Sequence, residues 1–129
     1  MNMLLAFAAL AEAATGVALI VVPSPVGRVL LGTELSGAAL PVARVAGIAL
    51  FSLGLACWPA QGPTRAALCG MTTYSLLATV YLVYLGTRGD SVGVLLWPAA
   101  GLHALLTLLL GRAWLAARTP GGSNSNVSD

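Results

Sequence analysis

The stretch MLLAFAALAEAATGVALIVV, residues 3–22, decides the architecture. Its one ionisable side chain is Glu12. As a helix rising ~1.5 Å per residue it reaches ~30 Å, the thickness of a bilayer's hydrocarbon core. A chain inside lipid must pair its backbone polar groups internally, and at this length and composition that selects a helix. Pro23-Ser24-Pro25 ends the segment, because proline has no N–H donor and restricts the residue before it. Met1-Asn2 carries no basic side chain and no clear cleavage site precedes a soluble domain, so the segment reads as retained rather than as a signal peptide.

Three further spans follow. The connection after the first one holds Arg28 and Glu34, and its Val26, Val29, Leu30 and Leu31 suggest a short interfacial helix or a tucked loop. The second span runs from about Ala38 to Trp58 and is closed by PAQGP, residues 59–63. The third runs from about Ala66 to Gly86, and Arg88-Gly89-Asp90 forms a polar turn before the fourth, Val92 to Leu115. Pro98 is expected to kink or loosen this last helix. The expected fold is all-α, an integral membrane four-helix bundle over residues 1–118, followed by a flexible polar tail, TPGGSNSNVSD, over 119–129. Asn126-Val127-Ser128 matches a glycosylation acceptor and, at the extreme tail, reads as chance.

Composition agrees. The chain is 58% hydrophobic and 8% charged, with mean hydropathy +0.91, whereas soluble domains carry roughly 25% charged residues. Six arginines stand singly, with no basic stripe, which removes nucleic acid as a partner. Two cysteines cannot build a disulfide scaffold. There is no phosphate-binding glycine loop, nucleophile elbow or close metal motif, so enzyme activity is not expected. Four spans put both termini on one side. That side carries Arg65, Arg112 and Arg118, the other Arg28, Arg44 and Arg88. Arg112 and Arg118 favour both termini in the cytoplasm.

Small residues mark helix contacts, since lipid offers helices little hydrophobic reason to associate. Leu40, Gly47 and Gly54 recur every seven residues, the period of a left-handed seam. Ala8, Glu12 and Gly16 share a face of the first span, and Gly93, Trp97 and Gly101 form a small–large–small ridge in the fourth. The third span differs: Tyr74 and Tyr81 lie two turns apart on one face, with Tyr84 beyond and hydroxyls at Thr72, Thr73, Ser75 and Thr79. Those hydroxyls either bond the preceding backbone turn or, with the phenols, line a pocket.

The candidate site is an intramembrane polar cluster of Glu12, Arg44, Tyr74, Tyr81 and His103. Measured by rise per residue from one membrane face, Glu12 lies ~15 Å deep, Arg44 ~9 Å and His103 ~17 Å, and Tyr74 can join them. A lone charge at mid-bilayer is expensive, by roughly 2.5–3.5 kcal/mol on insertion scales, so a Glu12–Arg44 pair near His103 is expected. That pair would serve as structural glue or as part of a polar ligand site, unless Arg44 snorkels to the interface. His103 could be a satisfied core histidine, a proton-exchanging or substrate-contacting group, or a haem ligand whose second histidine comes from another chain. Cys57 and Cys69 bracket one connection and read as packing thiols, a redox pair or metal ligands.

The run EAATGVALIVVPSPVGRVLLG followed by PVARVAGIALFSLGLACW resembles the small four-helix bacterial membrane proteins in and around the DoxX-like group, through Glu12, Gly16, Arg44 and Gly47. The resemblance covers mainly residues 3–58. It implies a bacterial cytoplasmic (inner) membrane location, and an accessory role near quinone- or thiol-linked redox systems.

Three functions fit the sequence. The first is an accessory or structural subunit held by a larger membrane protein or by self-association. The second is a module binding a lipid, quinone or haem. The third is a proton-coupled small-molecule transporter.

Overall fold

The computed structural model describes residues 2–60, 62, 64–89 and 92–116. The tail, its glycosylation triplet, Arg118 and Asp90 lie outside them. Five helices follow in order: α1 (Asn2–Val21), α2 (Pro23–Leu31), α3 (Ala39–Ala56), α4 (Arg65–Arg88) and α5 (Leu96–Ala116). Four of them, all but α2, are long and apolar enough to cross a membrane. The protein is an all-α membrane bundle, with boundaries close to those read from the sequence.

Of the short helix or tucked loop that the first connection suggested, the structure has the helix, α2. Proline occupies its first turn, where a missing N–H leaves no bond unmade. It stops at Gly32, whose φ of 74° is the left-handed conformation that ends helices and that glycine adopts freely. Ser24 Oγ donates to the Leu35 carbonyl at 2.7 Å and ties the following turn back onto the helix. Outside, Arg28 meets Glu34 at 3.4 Å, an exposed pair of small energetic weight. At the start of α4, the Thr64 hydroxyl accepts from the Ala67 N–H at 3.1 Å, satisfying one orphan donor of the first turn.

The spans form two antiparallel hairpins, α1 with α3 and α4 with α5. The first is joined glycine to backbone. A Cβ on Gly16 would stand 2.6 Å from the Gly47 carbonyl oxygen, one on Gly47 would stand 2.6 Å from that of Gly16, and one on Gly54 would meet the Ala9 carbonyl at 2.5 Å. Only hydrogen fits, so the expected seam through Gly47 and Gly54 is present. The second hairpin is looser: Gly86 lies under the Trp97 ring, and Gly111 faces Thr72.

The hairpins meet at the end of the bundle that holds the start of α1. There Leu5, Ala8, Ala9, Leu68, Met71, Leu106 and Leu110 of α1, α4 and α5 make one buried cluster with Cys57, which caps α3, and Leu53 of α3 packs against it. At the opposite end a smaller cluster of Leu82, Leu96 and Ala100 packs against Leu30 of α2. Here the backbone N–H of Gly93 donates to the Leu30 carbonyl at 3.0 Å and that of Leu95 to the Val29 carbonyl at 2.8 Å. These bonds fasten the approach to α5 onto α2.

Two expectations for the fourth span are corrected. Pro98 does not kink α5: the helix begins at Leu96, so Pro98 falls in the first turn, where N–H groups have no intrahelical acceptor. The same later start places Trp97 in the first turn of α5. The Gly93–Trp97–Gly101 ridge does not form either. Gly93 precedes the helix and packs on α2, while a Cβ on Gly101 would meet nothing.

Candidate functional site

One turn beyond the sealed core, three helices each change from apolar to polar. Along α1, Ala8 and Ala9 give way to Glu12; along α4, Met71 gives way to Tyr74; along α5, Leu106 is preceded by His103. Since side chains three and four apart share a helix face, all three polar groups point the way the core residues point, into the space between the hairpins.

There they meet. Glu12 is 3% exposed, and its Oε1 lies 3.8 Å from His103 Nδ1. That is too long for a hydrogen bond and close enough for strong attraction when the imidazole is protonated. The Tyr74 phenol faces the same carboxyl. The Tyr74 ring also stands edge-on to the imidazole, with centroids 5.6 Å apart and planes at 79°, so His103 is held between an acid and an aromatic ring. Its Nδ1 is buried without a hydrogen-bond acceptor among the described residues.

The expected partner of Glu12 is corrected. Arg44 is exposed on the outer side of α3, and the group facing the carboxyl is His103. Arg44, four residues after Leu40 and three before Gly47, lies about 60° from the centre of the α1–α3 seam at 3.6 residues per turn, and its side chain is exposed. The long side chain leaves Arg44 free to reach the interface instead.

Above the polar corner the hairpins stand apart around a cavity of about 880 Å³. Its walls come from all five helices: Ala18 and Leu19 of α1, Val26 and Leu30 of α2, Ala46 and Leu50 of α3, Leu77 and Ala78 of α4, and Pro98 and Leu102 of α5. Glu12, Tyr74 and His103 close one end, and Tyr81 lines the cavity two turns along α4 from Tyr74. Tyr81 stacks on Tyr84 with centroids 6.4 Å apart, and Arg88 lies over the Tyr84 ring at 5.3 Å while its Nε donates to the Tyr84 hydroxyl at 3.1 Å. Tyr84 thus belongs with Arg88 at the C-terminal end of α4 rather than to the polar corner.

The hydroxyls of α4 divide between the two roles the sequence left open. Thr79 donates to the Ser75 carbonyl at 2.8 Å, an ordinary back-bond to the preceding turn. Thr72 Oγ1 and Ser75 Oγ are buried with no hydrogen-bond partner among the described residues. Cys57 and Cys69 are free thiols, the first buried in the core and the second exposed on α4. No group of three or more His, Cys, Asp or Glu side chains suited to a metal occurs among the described residues.

The depth argument therefore found Glu12, Tyr74 and His103 and misplaced Arg44. It passed over the contribution of α2, although Val26, Val29 and Leu30 carried the apolar spacing that makes it a cavity wall. The cavity itself has a weaker signal: small residues at Ala18, Ala46 and Ala78, which leave room where larger side chains would fill it.

No family model matches the chain, and neither a curated protein nor a solved structure does so. The likeness to the DoxX-like group thus reaches as far as four apolar, membrane-length helices in a small all-helical protein, and not to that family in particular.

Proposed function

We propose that this protein is a membrane-embedded binding module for a small amphiphile, with an apolar body held between the hairpins and a polar head held by Glu12, Tyr74 and His103. The observation that carries this reading is the cavity's composition: a mostly apolar space of about 880 Å³ with a carboxyl, an imidazole and a phenol, those of Glu12, His103 and Tyr74, together at one end. Ligand sites share that design, with mostly apolar walls for affinity and a few converging polar groups for orientation. The volume lies within the roughly 300–1,000 Å³ of small-molecule pockets. A bundle that served only as a scaffold would gain from closing this space, because the apolar side chains that face it, Leu77 and Leu102 among them, would then pack against protein. The cavity therefore favours binding over the accessory-subunit role.

The test is native mass spectrometry after mild extraction, comparing the wild type with Ala78→Trp, which places an indole in the cavity. A small organic molecule retained by the first and absent from the second is the expected result. A wild-type protein that carries no such molecule, and that takes up no environment-sensitive amphiphilic dye from its nanodisc, would remove the reading.

A further inference from the structure

The charges around the cavity are lopsided. Among the described residues that line it, Glu12 is the one carboxylate, and no arginine takes part. Arg44 faces outward on α3, Arg28 is engaged by Glu34 at the surface, and Arg88 lies on Tyr84. The chain has no lysine. An anionic head, such as a phosphate or a carboxylate, would meet the Glu12 carboxyl with no fixed positive charge to offset it, in a medium where charges interact far more strongly than in water. Two phenol rings, Tyr74 and Tyr81, line the same space, and aromatic faces attract cations.

Resting on the binding reading above, we infer that the ligand is a lipophilic cation: an organic ammonium or related centre set against Glu12, with its hydrophobic substituents among the apolar walls. His103 is then the cation's competitor. A protonated imidazole 3.8 Å from Glu12 Oε1 neutralises the carboxylate from within, whereas a neutral imidazole leaves it for the ligand. The titratable groups facing Glu12 are Tyr74 from α4 and His103 from α5, while α2 and α3 give the cavity apolar side chains. Protons on either Glu12 or His103 oppose the cation, so cation binding strengthens as pH rises.

The experiment uses two ions of nearly the same shape and opposite charge, tetraphenylphosphonium and tetraphenylborate, with a neutral fluorescent amphiphile as a third probe. Saturable binding is measured to the full-length protein in zwitterionic nanodiscs, for the wild type, Glu12→Gln, Glu12→Asp and Ala78→Trp. The phosphonium should bind and displace the dye, and Ala78→Trp should abolish both. Glu12→Gln should weaken the phosphonium on the order of tenfold or more, and Glu12→Asp should restore part of the loss. Because the phosphonium does not titrate, its affinity should rise with pH in the wild type, and in Glu12→Gln the rise should shrink to what His103 alone contributes. Tighter binding of the borate, or phosphonium binding indifferent to Glu12→Gln, overturns the inference. Dye binding that Ala78→Trp removes but neither ion displaces overturns the cation and leaves the binding module standing. Binding of no probe at all removes both.

Discussion

Gly16 and Gly47 are reciprocal: each occupies the point where a side chain on the other's helix would run into a carbonyl oxygen, with 2.6 Å left for a Cβ in either direction. That relationship brings α1 and α3 to backbone contact and fixes the rotation of both helices. Glu12, one turn before Gly16, is thereby aimed into the bundle.

Gly47→Leu should accordingly destabilise the protein by about 1–3 kcal/mol or more, the range for overpacking a closed contact. Gly101→Leu, on an open face of α5, should stay within about 0.5 kcal/mol. Thermal unfolding of both variants in the same nanodisc measures the difference. Equal losses would mean that the two glycines are equally open.

The depth of a residue along a helix was legible in the sequence, and its rotation was legible only in part. Span lengths, proline-ended connections and the α2 pattern come from local chemistry, so their boundaries agree to within a few residues. Arg44 shows what local chemistry leaves out. Its depth overlaps that of Glu12, yet depth does not say which way a side chain points. The recurrence of Leu40, Gly47 and Gly54 did not supply the missing angle either, because Arg44 stands four residues after Leu40 and three before Gly47, beside the face those residues define. The separation of the two hairpins had no comparable signal: it depends on how faces from different helices fail to fill the space between them.

A thermodynamic cycle separates the two candidate partners of Glu12. Glu12→Gln and His103→Leu should be coupled by about 0.5–3 kcal/mol, as for residues in direct contact. Glu12→Gln and Arg44→Gln should add. Coupling confined to the arginine pair would contradict the geometry of the polar corner.

Ser75 offers a test of opposite sign. Its hydroxyl is fully buried and has no hydrogen-bond partner among the described residues. Removing an unsatisfied polar group relieves a desolvation penalty of about 1–3 kcal/mol. Ser75→Ala should therefore leave the unfolding temperature unchanged or raise it. A clear fall would show that the hydroxyl is engaged in the folded protein.

The cysteines should respond unequally to a thiol reagent. Cys69 is exposed and Cys57 is buried in the core cluster. Maleimide should label Cys69 in the folded protein and reach Cys57 only on denaturation. Equal labelling, or none before reduction, would contradict this arrangement of two free thiols.

Gly93 tests the joint between the hairpins. A Cβ there would run into the backbone of Val29 and Leu30, so Gly93→Val should push α2 away and break the two bonds it makes with the approach to α5. Amides of residues 26–31 should exchange faster with deuterium and amphiphile binding should weaken. Unfolding should shift less than for Gly47→Leu, because the α1–α3 seam is untouched. Unchanged exchange would show that α2 is not held from this side.

The two ends of the cavity are built from different things. Its polar end sits one turn from the main buried cluster, to which α1, α4 and α5 contribute and against which Leu53 of α3 packs, so that packing sets the positions of Glu12, Tyr74 and His103. Its breadth is set by the angle between two hairpins, each complete in itself and fastened to the other at that far end by two backbone hydrogen bonds. Such a vessel is rigid at the base and compliant at the mouth. Recognition should be strict about the charge and placement of a head group and forgiving about the girth of the apolar body attached to it. A homologous series of widening tails should then lose affinity gradually, while a displaced head loses it at once.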